Sequence, residues 1–189
     1  MRYNKTAVIN LALRRVAAPG ATSSYEDSPA ASSASAAYDA SLHFCLSQYN
    51  WAFATREKSL AQSASETSAR YNYIYPLPVD CLRIVSLRRD THRKIERYDV
   101  LGLSIHTDSN AALLTYISAD AAETMPDAFA SALAYLIAVE ISPYVEHGGT
   151  DIKAYYQLHE QALDMAKTWN DQQIPVEQEY SHAVAERFR

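Results

Sequence analysis

The sequence predicts a mainly α fold: a four-helix bundle with an inserted small antiparallel β-sheet and an extended C-terminal arm. Three observations carry this expectation. The 189 residues include 31 alanines but only 4 glycines, and Ala is the strongest helix former while Gly is among the weakest. Apolar residues recur at three- and four-residue steps in four separate stretches, the period of a helix face. Between the second and third of these, Tyr71, Tyr73 and Tyr75 alternate, the period of a strand. Hydrophobic residues make up 48% of the chain, enough for one domain with a real core.

The elements follow in order. Residues 4–17 place Ile9, Leu13 and Val16 on one stripe beside Ala12, and Pro19-Gly20 cannot continue that helix. Ser28-Pro29 reads as an N-cap with proline at the first helical position. From there Ala34, Ala37, Tyr38, Ser41, Leu42, Cys45 and Tyr49 make a face of about five turns, ending near Asn50. Trp51 and Phe53 follow as core anchors beneath the helix end.

Residues 70–118 change character. Pro76 and Pro78 bracket Leu77, so the tyrosine strand is an edge or a strand end. Residues 82–88 read as a strand, followed by a basic turn. Residues 94–100 and 111–118 read as further strands, with Gly102 and Asp108-Ser109-Asn110 as turn signals.

Helix returns after Pro126. Phe129, Ala132, Leu133, Leu136, Ile137, Glu140 and Ile141 form a face widened by Ala128, Tyr135 and Val139, which marks a mostly buried helix. Pro143 and Gly148-Gly149 end it, and Thr150 caps the next. There Ile152, Tyr155, Tyr156, His159, Ala162, Leu163, Ala166 and Trp169 give a long stripe. The expected core anchors are Trp51, Phe53, Phe129, Leu133 and Trp169. The expected parts are a helical bundle from residues 1–69 and 119–170, a β-rich insertion at 70–118 and an arm at 171–189. The arm carries only Ile174, Pro175, Val176, Tyr180 and Phe188 as apolar anchors, so it cannot build its own core and is expected to be disordered or to fold on a partner.

Charge is uneven. Residues 70–97 hold seven basic and three acidic groups, while residues 98–189 hold four basic and fourteen acidic. Such asymmetry suits head-to-tail contact between copies of one chain, and equally suits two solvated faces. Arg83, Arg88, Arg89, Arg93, Lys94 and Arg97 form the basic segment, read as an inter-subunit surface. Two cysteines, Cys45 and Cys81, are too few for a disulfide scaffold. No apolar run approaches the ~20 residues of a membrane span. Arginines interrupt the N-terminal apolar stretch, which speaks against a signal peptide.

Catalytic signatures are missing. The sequence holds no phosphate-cradling glycine loop, no H-E-x-x-H, no C-x-x-C and no G-x-S-x-G. The six histidines share no helix turn, and His159 on its helix stripe reads as a core or rim residue. Glu26, Asp27, Glu57 and Glu66 are available for glycoside hydrolysis, but such a pair needs a defined separation that sequence does not give. No cofactor and no metal are expected.

Several segments resemble the head-to-tail adaptor proteins of short-tailed phages, the group of tail accessory factors and tail tubular protein A. The opening INLALRRVAAPGATSSYEDSPAA is similar to theirs. YDASLHFCLSQYNWAFATREKSLA resembles their second helix with its W-x-F-A ending, here Trp51, Phe53 and Ala54. YNYIYPLPVDCLRIVSL is similar to their L-P-x-D-C-L-R strand start, here Leu77, Pro78, Asp80, Cys81, Leu82 and Arg83. MPDAFASALAYLIAVEIS resembles their third helix, opened by Pro126 and carrying Phe129, Ala132, Leu133 and Ala134. Ala17-Ala18-Pro19 and Tyr49-Asn50 depart from the commoner Gly-Ala-Pro and His-Pro. The likeness runs from about residue 6 to 170.

The resemblance implies a virion protein that forms a ring of twelve copies beneath the portal. It implies contact with the portal on one side and a tail nozzle protein on the other, with DNA passing through without specific binding. It implies that the C-terminal segment reaches the portal. Membrane contact and catalysis form no part of the expectation. Two alternatives stand beside it: an accessory peptidoglycan-cleaving activity and a DNA-binding module built on Arg83 to Arg97.

Overall fold

A computed structural model describes residues 2–16, 29–64, 68–90, 94–95, 97–120, 125–144 and 152–173. Within them the fold is mixed α/β, which corrects the expected four-helix bundle with a small inserted sheet. Four helices share the described chain with two three-stranded antiparallel sheets.

The helices are α1 (Lys5–Arg15), α2 (Pro29–Ser47), α3 (Asp127–Ile141) and α4 (Ile152–Gln173). Asn4 starts α1 by accepting a 2.9 Å hydrogen bond from the Ala7 amide, which satisfies one free donor of the first turn. Apolar groups cover most of the circumference of α3, and it is the central helix that α1, α2 and α4 pack around. Arg15 ties α1 to α3. Its guanidinium donates to the Ser131 carbonyl and hydroxyl at 2.6 and 2.7 Å and lies 3.5 Å over the Tyr135 ring. The proposed stops and caps at Pro19-Gly20, Ser28, Gly148-Gly149 and Thr150 lie outside the described residues.

The strands are β1 (Arg2–Tyr3), β2 (Thr55–Ser59), β3 (Tyr73–Pro76), β4 (Cys81–Arg88), β5 (Tyr98–Leu101), β6 (Ser104–Thr107), β7 (Leu113–Ser118) and β8 (Met125–Pro126). β1 pairs only with β8, as a short tie at the start of α3. The first large sheet has the order β2-β7-β4 and the second β3-β6-β5. So β2, within the stretch expected to be helical, belongs to a sheet. Gly102 sits at φ +59° in the turn between β5 and β6, a left-handed conformation that glycine adopts without strain.

The molecule is layered. Ile117 of β7 joins the helical core, with Leu82 and Val85 packed against it. The opposite face of the same sheet, through Leu87, Leu114 and Tyr116, shares a second core with Tyr75 and Ile105 of the outer sheet. Two register shifts in β4 make this possible. They fall between Cys81 and Arg83 and between Ile84 and Ser86. Each leaves one extra residue on the strand. Consequently Cys81, Ile84 and Leu87 face the outer sheet at a spacing of three, while the extra residues Leu82 and Val85 reach the helices.

Candidate interaction surfaces

The expected basic segment does not form one surface. Arg83 turns toward the helices and donates from Nη2 to the Asn50 side chain at 2.6 Å. The backbones of Arg88 and Lys94 form an isolated antiparallel bridge after β4, and Arg89 is exposed. Arg97 stands apart: its guanidinium and that of Arg70 lie 5.7 and 5.3 Å from the centre of the buried Tyr71 ring. Arg70 also bonds Asp99 at 3.1 Å. Arg93 lies outside the described residues. The backbone thus brings Arg88 and Lys94 together, while Arg83 and Arg97 contact Asn50 and Tyr71 of the same subunit.

Four expected core anchors lie inside. Trp51 is 1% exposed, and Phe129 and Leu133 are fully enclosed. Phe53 packs against them part-buried. The Trp51 ring meets Phe129 edge-on at 4.9 Å, and its indole N–H donates to the Cys45 carbonyl at 2.9 Å. That bond satisfies the polar handle of a buried tryptophan.

Trp169 is not an anchor; it is 40% exposed. The buried face of α4 is instead His159, Leu163, Ala166 and Asn170. Asn170 takes the inward place because the turn opposite needs two hydrogen-bond partners. Its side-chain oxygen accepts from the Ala52 amide at 2.7 Å, and its NH₂ donates to the Asn50 carbonyl at 3.1 Å. An indole, with one donor and no acceptor, cannot replace that pair. His159 is buried, with Nδ1 2.9 Å from the Ala132 carbonyl.

A polar seam thus joins three parts of the molecule. Asn170 holds the turn after α2, Asn50 of that turn holds Arg83 of β4, and the Tyr49 hydroxyl donates to the Asp171 carboxylate at 2.8 Å. The bond to Asp171 raises the Tyr49 pKa, with burial and the carboxylate charge adding to it. The seam sits at the last turns of α4, so it fixes the root from which residues 174–189 continue. Ile174, Pro175, Val176, Tyr180 and Phe188 lie outside the described residues.

Asp80 closes a second cluster at the start of β4. Its carboxylate accepts from the Ser118 hydroxyl at 2.5 Å and the Tyr116 hydroxyl at 3.1 Å, and its carbonyl accepts from the Ala119 amide at 2.8 Å. Burial pushes this carboxyl up, but the hydrogen bonds from Ser118 and Tyr116 outweigh it and hold the pKa below the ordinary value. Tyr116 responds in the opposite sense: burial and the bond to Asp80 push it up to about 12. This cluster pins the corner where the chain crosses between the two sheets.

Two further surface features are apolar. Leu158, Met165 and Trp169 of α4 are exposed. A groove of about 370 Å³ runs between α2 and α4 over α3, lined by Ala37, Ala40, Phe44, Leu136, Glu140 and Tyr156 among others. Sequence reading missed both features, although the 4-3-4 spacing of Leu158, Ala162, Met165 and Trp169 is a visible seam.

Among the described residues no three His, Cys, Asp or Glu side chains converge on a metal-sized site, and no helix is long and apolar enough to cross a membrane. Cys45 and Cys81 are free thiols. Glu57 lies exposed on β2, while Glu26, Asp27 and Glu66 fall outside the described residues. No protein-family model matches the chain, and no curated protein matches it in sequence.

Proposed function

We propose that this chain is a structural virion protein, a head-to-tail adaptor that forms a ring under the portal of a short-tailed phage. It joins the portal to the tail nozzle and continues the DNA channel. The observation that carries the reading is α4. This helix buries one seam against α3, offers a second seam outward, and hands the chain to residues 174–189 from a root held by Asn170 and Asp171. A helix so arranged serves contact with other proteins. The four sequence segments that resemble the adaptor group supply the kind of contact.

The arm 171–189, read from sequence as the portal-binding segment, begins within the last turn of α4. On this reading its anchors Ile174, Pro175, Val176, Tyr180 and Phe188 dock on the portal. The DNA-binding alternative is weakened because Arg83 and Arg97 do not lie together: Arg83 bonds the Asn50 side chain, while the exposed Arg97 lies beside the Tyr71 ring. A lumen for sliding DNA calls for few phosphate contacts, because each adds to affinity.

The test uses the chain ended after Gln173 and the portal protein encoded by the same genome. The shortened chain is expected to keep its thermal unfolding transition and to lose co-sedimentation with the portal. Undiminished binding by the shortened chain removes the arm from the account. Failure of the full chain to bind removes the adaptor reading.

A further inference from the structure

We propose that the outward seam of α4 on one copy docks in the α2–α3–α4 groove of a second copy. Helix geometry places the two features on opposite sides of α4. Successive residues turn by about 100° around an α-helix. Tyr156, which lines the groove on the α2 side, is two residues from Leu158, nine from Met165 and thirteen from Trp169. Those steps correspond to about 200°, 180° and 220°, so all three seam residues point away from the groove that Tyr156 borders. A surface and its acceptor on opposite flanks make a heterologous contact, which closes into a ring when the rotation permits.

The two surfaces also match in shape and chemistry. The seam carries large exposed side chains, Met165 at 72% and Trp169 at 40%, beside a shallow hollow that they line with Asp164, Thr168 and Gln172. The groove wall on α2 is made of the small residues Ala37, Ala40 and Ser41, with Phe44 at one end. Knobs on one copy therefore meet a smooth wall on the other. Glu140 stands exposed at the groove, and Trp169 carries a donor-only indole N–H. Among the described residues neither side chain has a hydrogen-bond partner. Docking Trp169 in the groove lets its N–H donate to the Glu140 carboxylate while the ring covers Leu136 and Phe44. This contact deepens the ring reading and rests on it for its biological setting, but it is tested separately.

The test is cross-linking of single-cysteine chains in a Cys81→Ser background, where Cys45 stays buried. One chain carries Ala40→Cys in the groove and the other Gln172→Cys beside the seam. A short bis-maleimide is applied to each chain alone and to their mixture, at high concentration and with the portal. Cross-linked dimers are expected in the mixture and not in either chain alone. Adding Trp169→Ala to the seam chain is expected to lower the yield at least tenfold. Cross-linking of either chain with itself would show an isologous contact and overturn the proposal. Ring formation on the portal without mixed cross-links would overturn this contact and leave the adaptor reading standing. Mixed cross-links in concentrated chain that never joins the portal would support the contact and count against the adaptor reading. No cross-link in any sample would overturn the contact.

Discussion

Replacing Asn170 tests how the end of α4 is held. The residue is 1% exposed and makes two hydrogen bonds to the backbone of the Asn50–Ala52 turn. A typical intramolecular hydrogen bond contributes about 0.5–1.5 kcal/mol net. Asn50 and Ala52 are themselves exposed, so water re-solvates part of what is lost. Asn170→Ala should therefore cost about 2 kcal/mol, or about 4–8 °C in Tm for a chain of this size. Urea unfolding followed by far-ultraviolet circular dichroism measures it without interference from the neighbouring tryptophans. Asn170→Asp sharpens the test. Its carboxylate keeps the bond from the Ala52 amide but faces the Asn50 carbonyl, which it meets favourably only when protonated. The folded state therefore raises the pKa of the new carboxyl, and the variant should recover stability relative to wild type as pH falls below that value. A loss below about 0.5 kcal/mol for Asn170→Ala, or an Asn170→Asp variant that parallels wild type at every pH, would refute the role given to this side chain.

Other outcomes follow from the same structure. Trp51→Ala should cost about 3–5 kcal/mol in denaturant unfolding, because it removes a fully buried ring from the contact with Phe129 and frees the Cys45 carbonyl; a loss below about 1 kcal/mol would place Trp51 outside the core. Asp80 is held with a lowered pKa. Its contribution is thus present above the ordinary carboxylate range near pH ~3.9 and is lost as pH falls through the folded value, so Asp80→Asn should flatten that part of the acid-stability curve. The Cys45 thiol, pushed up to about 12 by burial, should resist a maleimide in the native protein at pH 8 and react after unfolding, as read by mass spectrometry; fast native labelling at Cys45 would contradict its enclosure.

The helices were legible because their apolar residues follow the helical period closely. The periodicity marks α3 almost residue by residue, and Pro126 marks its start. The sheets were less legible, for particular reasons. β2 has the sequence TREKS and is exposed along four of its five residues. As the outer strand of its sheet it buries no alternating face, and charged side chains are normal on such an edge. β4 was found, but its two extra residues convert the period of two into a spacing of three, which hides that both of its faces are covered. That double coverage turns an expected minor insertion into half of a layered fold.

α4 shows a different limit. Two seams run along it one residue apart, 158-162-165-169 and 159-163-166-170, and both have helical spacing. Bulk favours the first because it ends in tryptophan. The structure buries the second because the Asn50–Ala52 turn requires a bidentate partner that only Asn170 supplies. Long-range hydrogen bonding of this kind leaves no periodic trace. The basic segment likewise reads as one run in sequence, whereas the strand geometry sends Arg83 inward and Arg97 onto Tyr71.

The mass of the chain in solution, measured by sedimentation alone and with the portal protein of the same genome, tests the adaptor reading most directly. The free chain is expected to sediment as a small species, and each portal ring to carry about twelve copies. A chain that never associates with the portal, at any concentration or salt, would contradict that reading.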